Sequence, residues 1–308
     1  MENRNQNTKA IVEGGMISAL TVFLTLFLIF TGLVSVLAIC VIPIPITILY
    51  LRQNFKISLI TVLVNTIIVS LLYNPIEAAA NTMVFGLVGL AFGFCLKKKY
   101  SVGKIISILG IVFSIAFFIN SAIYLELITN QGLKDSINDM LKQYNKMRGN
   151  QGLNVSTEFM MKLVPGLIII IGYITAYVNY LFTKVVLKRL KYKMEDMIPF
   201  TKLYVPNRIG AFIVIMFLLG TILSIKKVII GEYLVSSSEL VLLIALTIQG
   251  AAVVSYFLIN KYNITKSVVI MIIVVSLFLQ VVLVYVIMGF LDLFIDFRKV
   301  DPNRIFRK

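Results

Sequence analysis

Nine runs of mostly apolar residues fall near 11–31, 33–51, 57–73, 77–96, 104–128, 163–187, 209–230, 238–260 and 267–290. Each is close to the ~20 residues that a helix needs to cross ~30 Å of hydrocarbon. A chain threaded through lipid must satisfy its backbone N–H and C=O groups internally, and runs of this length, rather than ten-residue alternating strands, make the solution helical. The expected fold class is therefore all-α, a polytopic transmembrane helix bundle of about nine spans, or eight if one run does not cross. With 59% hydrophobic residues, 14% charged residues and a mean hydropathy of +0.95, no stretch is left that could fold alone as a soluble domain.

Positive residues near span ends resist translocation, and they set the expected orientation. A cytoplasmic N-terminus in a bacterial inner membrane puts Arg52 and Lys56, Lys97 to Lys99 with Lys104, the cluster from Lys184 to Arg208, and Lys261 with Lys266 on the inner side. Nine crossings leave the tail from Arg298 to Lys308 outside, against the charge bias; a last run that re-enters would bring it in. The start, Met1 to Lys9, is polar and lacks a small-residue cleavage site after it, so the first run reads as an uncleaved helix. The second run contains Pro43 and Pro45, which remove two helical hydrogen bonds and predict a kink or interruption.

Two connections are long enough to carry structure. Within 129–162, expected outside, Leu133, Ile137, Met140, Leu141, Tyr144 and Met147 recur at helical spacing with charges on the other faces, which predicts an amphipathic surface helix or a lid. From Lys188 to Arg208 the sixth helix is expected to continue into the cytoplasm, with Leu187, Leu190, Met194, Met197 and Ile198 as an apolar stripe that rests on the inner leaflet or docks a partner.

The chemistry available is narrow. The chain has no His, and its two cysteines, Cys40 and Cys95, sit inside apolar runs as packing residues, so no metal site, cofactor or catalytic residue is expected. A lipid-processing enzyme would have to use Glu77, Glu126 or Asp292 as acid or base without a recognisable nucleophile beside it. The net charge of +15 is dispersed between apolar spans, which fits membrane lipids as partners and not nucleic acid.

Polar residues inside spans are costly and so mark candidate sites. Glu77 and Asn81 lie one turn apart near the outer end of the fourth run, and Asn120 and Tyr124 repeat that spacing in the fifth, with Glu126 beside the exit. Tyr173 and Tyr177 share a face of the sixth, and Asn179 lies near its middle. Together these residues predict an outward-open pocket for a small-molecule solute. Asn65 and Gln249 read as interhelical glue, the latter beside Gly250 where a neighbouring helix can come close. Ala10, Gly14 and Ser18, with a second row at Gly15 and Ala19, let a helix approach the first span, either within the chain or from a partner subunit.

The small-residue opening helix, Ile42-Pro43-Ile44-Pro45 with Leu51-Arg52, the Gln249-Gly250 pair, and Gly289 to Asp292 followed by Asp296-Phe297-Arg298 resemble, in that order, the YybS-like predicted membrane proteins. The N-terminal part of that family looks like the substrate-binding S components of energy-coupling-factor transporters. The resemblance implies a six-helix S-component-like bundle over 1–190, a basic linker at 191–208 and a three-helix segment with a basic tail over 209–308. It also implies a transport-related function, solute capture from outside, and a membrane coupling subunit with ATPases as partner, since this chain has no nucleotide-binding motif. The alternative is an accessory or scaffold protein that acts through partner contacts. Orientation has a direct test: impermeant thiol reagent applied to intact cells should label a cysteine at position 142 and leave one at position 191 unlabelled.

Overall fold

The computed structural model describes residues 2–31, 39–123, 125, 132–148 and 155–300. Every regular element among them is helical. Six helices are long and apolar enough to cross a membrane: α1 (Glu2–Phe30), α4 (Phe55–Leu72), α7 (Val102–Ile123), α9 (Thr157–Arg189), α10 (Asn207–Ile225) and α11 (Ile229–Asn260). The prolines interrupt the second run as expected, leaving α2 (Ile39–Val41) and α3 (Pro43–Arg52). The fourth run is also broken, into α5 (Pro75–Glu77), a π-helical segment Ala78–Met83, and α6 (Val84–Lys97). The 129–162 connection contains an exposed helix, α8 (Leu133–Arg148).

The chain forms two compact units, one of Met1–Thr157 with Ile168–Asp196, the other of Glu158–Leu167 with Met197–Lys308. In the first, α1 lies along α4. Ala10, Gly14 and Ser18 are buried on that seam; a Cβ on Gly14 would sit 3.3 Å from Thr61 Oγ1, and the Ser18 hydroxyl donates to Asn65 Oδ1. The small-residue row is thus occupied by an intramolecular contact, whereas Gly15 and Ala19 remain exposed. Thr21 and Thr25 extend the buried face and return their hydroxyls to the Ile17 and Thr21 carbonyls. Such hydroxyls stay satisfied without a second helix, so polar residues can pass through an apolar seam.

α9 ends sooner than the sequence suggests. Lys191 takes φ 63°, and the N–H groups of Lys191 and Tyr192 close onto the Lys188 and Leu187 carbonyls at 3.0 Å, a Schellman stop made without glycine. The expected helical stripe through Met194, Met197 and Ile198 is therefore corrected. Tyr192 and Met194 fold back onto Ile44, Ile48 and Leu187, and a single 3₁₀ turn, Phe200–Lys202, precedes α10.

In the second unit the ninth apolar run is not one straight helix. α12 (Lys266–Phe278) and α13 (Val282–Ile295) have 13 and 14 residues, ~20 Å each, and turn through 116° at the break between them. Here Gln280, at φ 59°, closes a second Schellman stop, its N–H bonding to Leu277 O and that of Val281 to Ser276 O. Three residues beyond α13, Arg298 donates to the Thr201 and Leu203 carbonyls of the linker. The run 267–290 is thus a bent helix pair and not one straight span, and the tail, expected outside, begins beside the linker carbonyls.

Close helix approach holds this unit together. A Cβ added at Gly250 would overlap the Tyr285 carbonyl oxygen, and one at Gly289 would overlap that of Leu246, so only glycine allows α11 and α13 to cross backbone on backbone. Gly14→Leu and Ser18→Leu should each lower the unfolding temperature in detergent by the ~1–3 kcal/mol typical of overpacking. Gly15→Leu, with nothing within 4 Å of its missing Cβ, should leave it unchanged. A thiol at position 300 should be labelled from the same side of the membrane as one at 202.

Candidate functional site

Two of the expected pocket residues lie at one level on adjoining helices. The rings of Phe85 on α6 and Phe117 on α7 meet edge-on, centroids 6.1 Å apart. Asn81 lies one turn before Phe85 and Asn120 one turn beyond Phe117, so the two amides come from adjoining helices at one level, both half-buried. Asn81 is carried by the π segment, whose widened turn displaces side chains from the positions an α-helix would give them. Tyr124 and Glu126, together with the Glu77 side chain, lie outside the described residues.

The two tyrosines sit elsewhere. Tyr173 packs its ring against Gly110, where an added Cβ would lie 2.8 Å from ring carbons, and one turn on Gly172 faces Ser114. Gly110 is ten residues before Asn120 on the same helix, so Tyr173 lies ~15 Å deeper than the asparagine level. Tyr177 is a further turn down and exposed. Antiparallel helices bring residues together by level, and the shared helix face of Tyr173 and Tyr177 carried no information about level.

The second unit contains a polar cluster that the sequence reading scattered. The Arg298 guanidinium is fully buried and pairs with the Asp292 carboxylate, Nη2 to Oδ2 at 2.8 Å. The same carboxylate oxygen accepts from Gln249 Nε2 at 3.0 Å, and Gln249 Oε1 accepts the Val205 N–H at 3.2 Å. Arg298 also caps the linker, with Nη1 to Thr201 O at 2.8 Å and Nη2 to Leu203 O at 2.9 Å. Gln249 is thus interhelical glue as expected. Arg298 was missed because the tail was placed on the opposite side; the usable signal was an Asp in the last apolar run followed within two turns by Arg.

At the end of α9, Lys184 and Lys188 converge on Asp196 at 2.6 and 3.1 Å. The hydrogen bond from Lys184, then that from Lys188, holds the Asp196 carboxyl below its ordinary range. A depressed carboxyl pKa keeps this tie present at neutral pH and releases it only in acid below the usual carboxylate range.

Membrane-length apolar helices, helix breaks resolved inside the protein and a buried ion pair define a multi-pass integral membrane protein. The chain belongs to the family described as predicted membrane protein DUF2232, whose model matches residues 19–293. That match takes in Gln249, Gly250, Gly289 and Asp292 and stops before Arg298. The chain is also similar to the Bacillus subtilis (strain 168) protein described as "Uncharacterized protein YybS", at 23% identity over 274 residues, covering 82% of this chain and 85% of that one. No solved structure matches it significantly.

Removing one member of a buried pair strands the other, at ~3–5 kcal/mol, whereas replacing both with apolar residues of similar volume is often neutral. Arg298→Met should therefore strongly lower the thermal unfolding midpoint followed by circular dichroism in detergent. Asp292→Leu combined with Arg298→Met should recover most of the loss.

Proposed function

We propose that this is a transport-type membrane protein that binds a small polar solute at the outer ends of α6 and α7 and depends on a separate partner for energy. The carrying observation is the π segment Ala78–Met83, which presents Asn81 at the level of Asn120. Irregular backbone within a bilayer is tolerated where protein buries it or where it lines a water-filled cavity, and transporters place such breaks at their binding sites. The resemblance of the first six runs to S components points to the same end of the bundle. Amide groups there suit a solute with hydroxyl, amide or ammonium groups.

A second reading, an accessory or scaffold protein, is favoured by the Tyr173 ring packed on Gly110, which fills space between α7 and α9 that a large pocket would need. The two are separated by a thermal-shift screen of polar metabolites against the purified full chain. A saturable rise that Asn120→Leu abolishes, while the variant unfolds at the unliganded temperature, supports solute binding. Failure of every solute, together with copurification of a membrane complex lacking ATPase subunits, supports the scaffold.

A further inference from the structure

The interior of the first unit carries an oxygen cluster that neither the solute reading nor the ion pair uses. On α9, Asn179 and Thr183 are one turn apart and both fully buried. The Asn179 amide is oriented unambiguously, because its Nδ2 donates to Cys40 O at 2.8 Å, so Oδ1 is the atom left over. That Oδ1 has no hydrogen-bond partner, nor has Thr183 Oγ1. One turn further, Leu187 packs on Ile44 and Ile48, so α9 runs alongside the α2–α3 break with Asn179 at Cys40, Leu187 at α3, and Thr183 between them.

The break supplies further oxygens. Pro45 has no N–H for the Val41 carbonyl and Pro43 none for that of Ile39, so both lose their helical donor in the dry interior, where Ile42 and Ile44 are buried. Two unpartnered side-chain oxygens on α9 therefore lie alongside a stretch of backbone in which two carbonyls have lost their i+4 donor. Each such group is destabilising when nothing meets it. A single ligand that accepts electron pairs from all of them satisfies the cluster.

We propose that this break holds an alkali cation, sodium being the one probed below, ligated by Asn179 Oδ1, Thr183 Oγ1 and the carbonyl of Val41. All are neutral oxygens, which suits a singly charged ion; Ca²⁺ and Mg²⁺ take carboxylates. Side chains at i and i+4 start ~5–6 Å apart, and oxygens reaching toward each other can share one ion at ~2.4 Å, the bond length of a hard cation of this size. The Thr183 hydroxyl proton is free to turn to the Asn179 carbonyl one turn back, the bond that Thr21 makes to Ile17. Unwound backbone carbonyls ligating a cation near the middle of a bundle are a known membrane-protein use of broken helices. The site goes beyond the solute reading and stands without it.

The test uses the full chain in detergent, with unfolding followed by a thiol-reactive dye on the buried Cys40 and Cys95, in NaCl against N-methylglucamine chloride at equal ionic strength. Wild type should show a saturable rise in unfolding temperature with Na⁺. Thr183→Val, which keeps volume and removes the oxygen, should lower the apparent Na⁺ affinity by about tenfold or more, a loss of one ligand's contribution. Thr183→Ser should keep the response. If the hydroxyl merely lies buried and unmet, Thr183→Val instead raises the unfolding temperature equally in both salts, and the proposal fails. Identical wild-type curves in the two salts also overturn it, as does absence of ²²Na⁺ binding by equilibrium dialysis.

Discussion

In hydrocarbon a backbone carbonyl or N–H has no solvent to fall back on, and every departure from a straight helix in this protein must be resolved by its own atoms. That constraint orders the structure. Helices that end at Lys99, Lys191, Lys227 and Gln280 do so through left-handed residues that return N–H groups to the last turn. Thr21, Thr25, Thr61 and Ser255 send their hydroxyls back to i−4 carbonyls and ask nothing of neighbouring helices. What is left over after this local satisfaction, at the α2–α3 break and around Arg298, is where side chains from distant parts of the sequence are drawn together.

Arg298 illustrates the long-range case. A guanidinium brought to full burial needs a carboxylate and several acceptors, and here it finds Asp292 six residues back, plus two linker carbonyls 97 and 95 residues away. The Gly250–Gly289 crossing sets the geometry, because only backbone-on-backbone approach lets Gln249 on α11 reach Asp292 on α13. The bent pair is fastened by the same cluster: two ~20 Å arms meet at 116°, and Arg298 ties the end of α13 to the linker.

Much of the local character was legible in the sequence. The proline break, the amphipathic helix at Leu133–Arg148, the seam side of Gly14 and Ser18, and the close approach at Gly250 all follow from residue type and period. The helix ends were less so, because the αL positions carry lysine and glutamine where glycine is the usual sign. The apolar run 267–290 gave no hint of its turn at Gln280, since hydropathy is blind to direction. The level shared by Asn81 and Asn120 was legible from spacing along antiparallel helices, but the tyrosines were grouped by helix face alone and lie at other depths.

By itself, then, the sequence determined the solvent, the element type and the faces: apolar runs of bilayer length demand helices, and small or polar residues at i, i+4 mark which sides meet. Only the tertiary structure decided which ends share a level and a side. Those choices rest on contacts between residues far apart in the chain, Asn179 with Cys40, Gln249 with Asp292, and Arg298 with Leu203, and no local pattern encodes them. Period and hydropathy describe one helix at a time, whereas a buried polar atom is satisfied by whichever helix arrives at its depth.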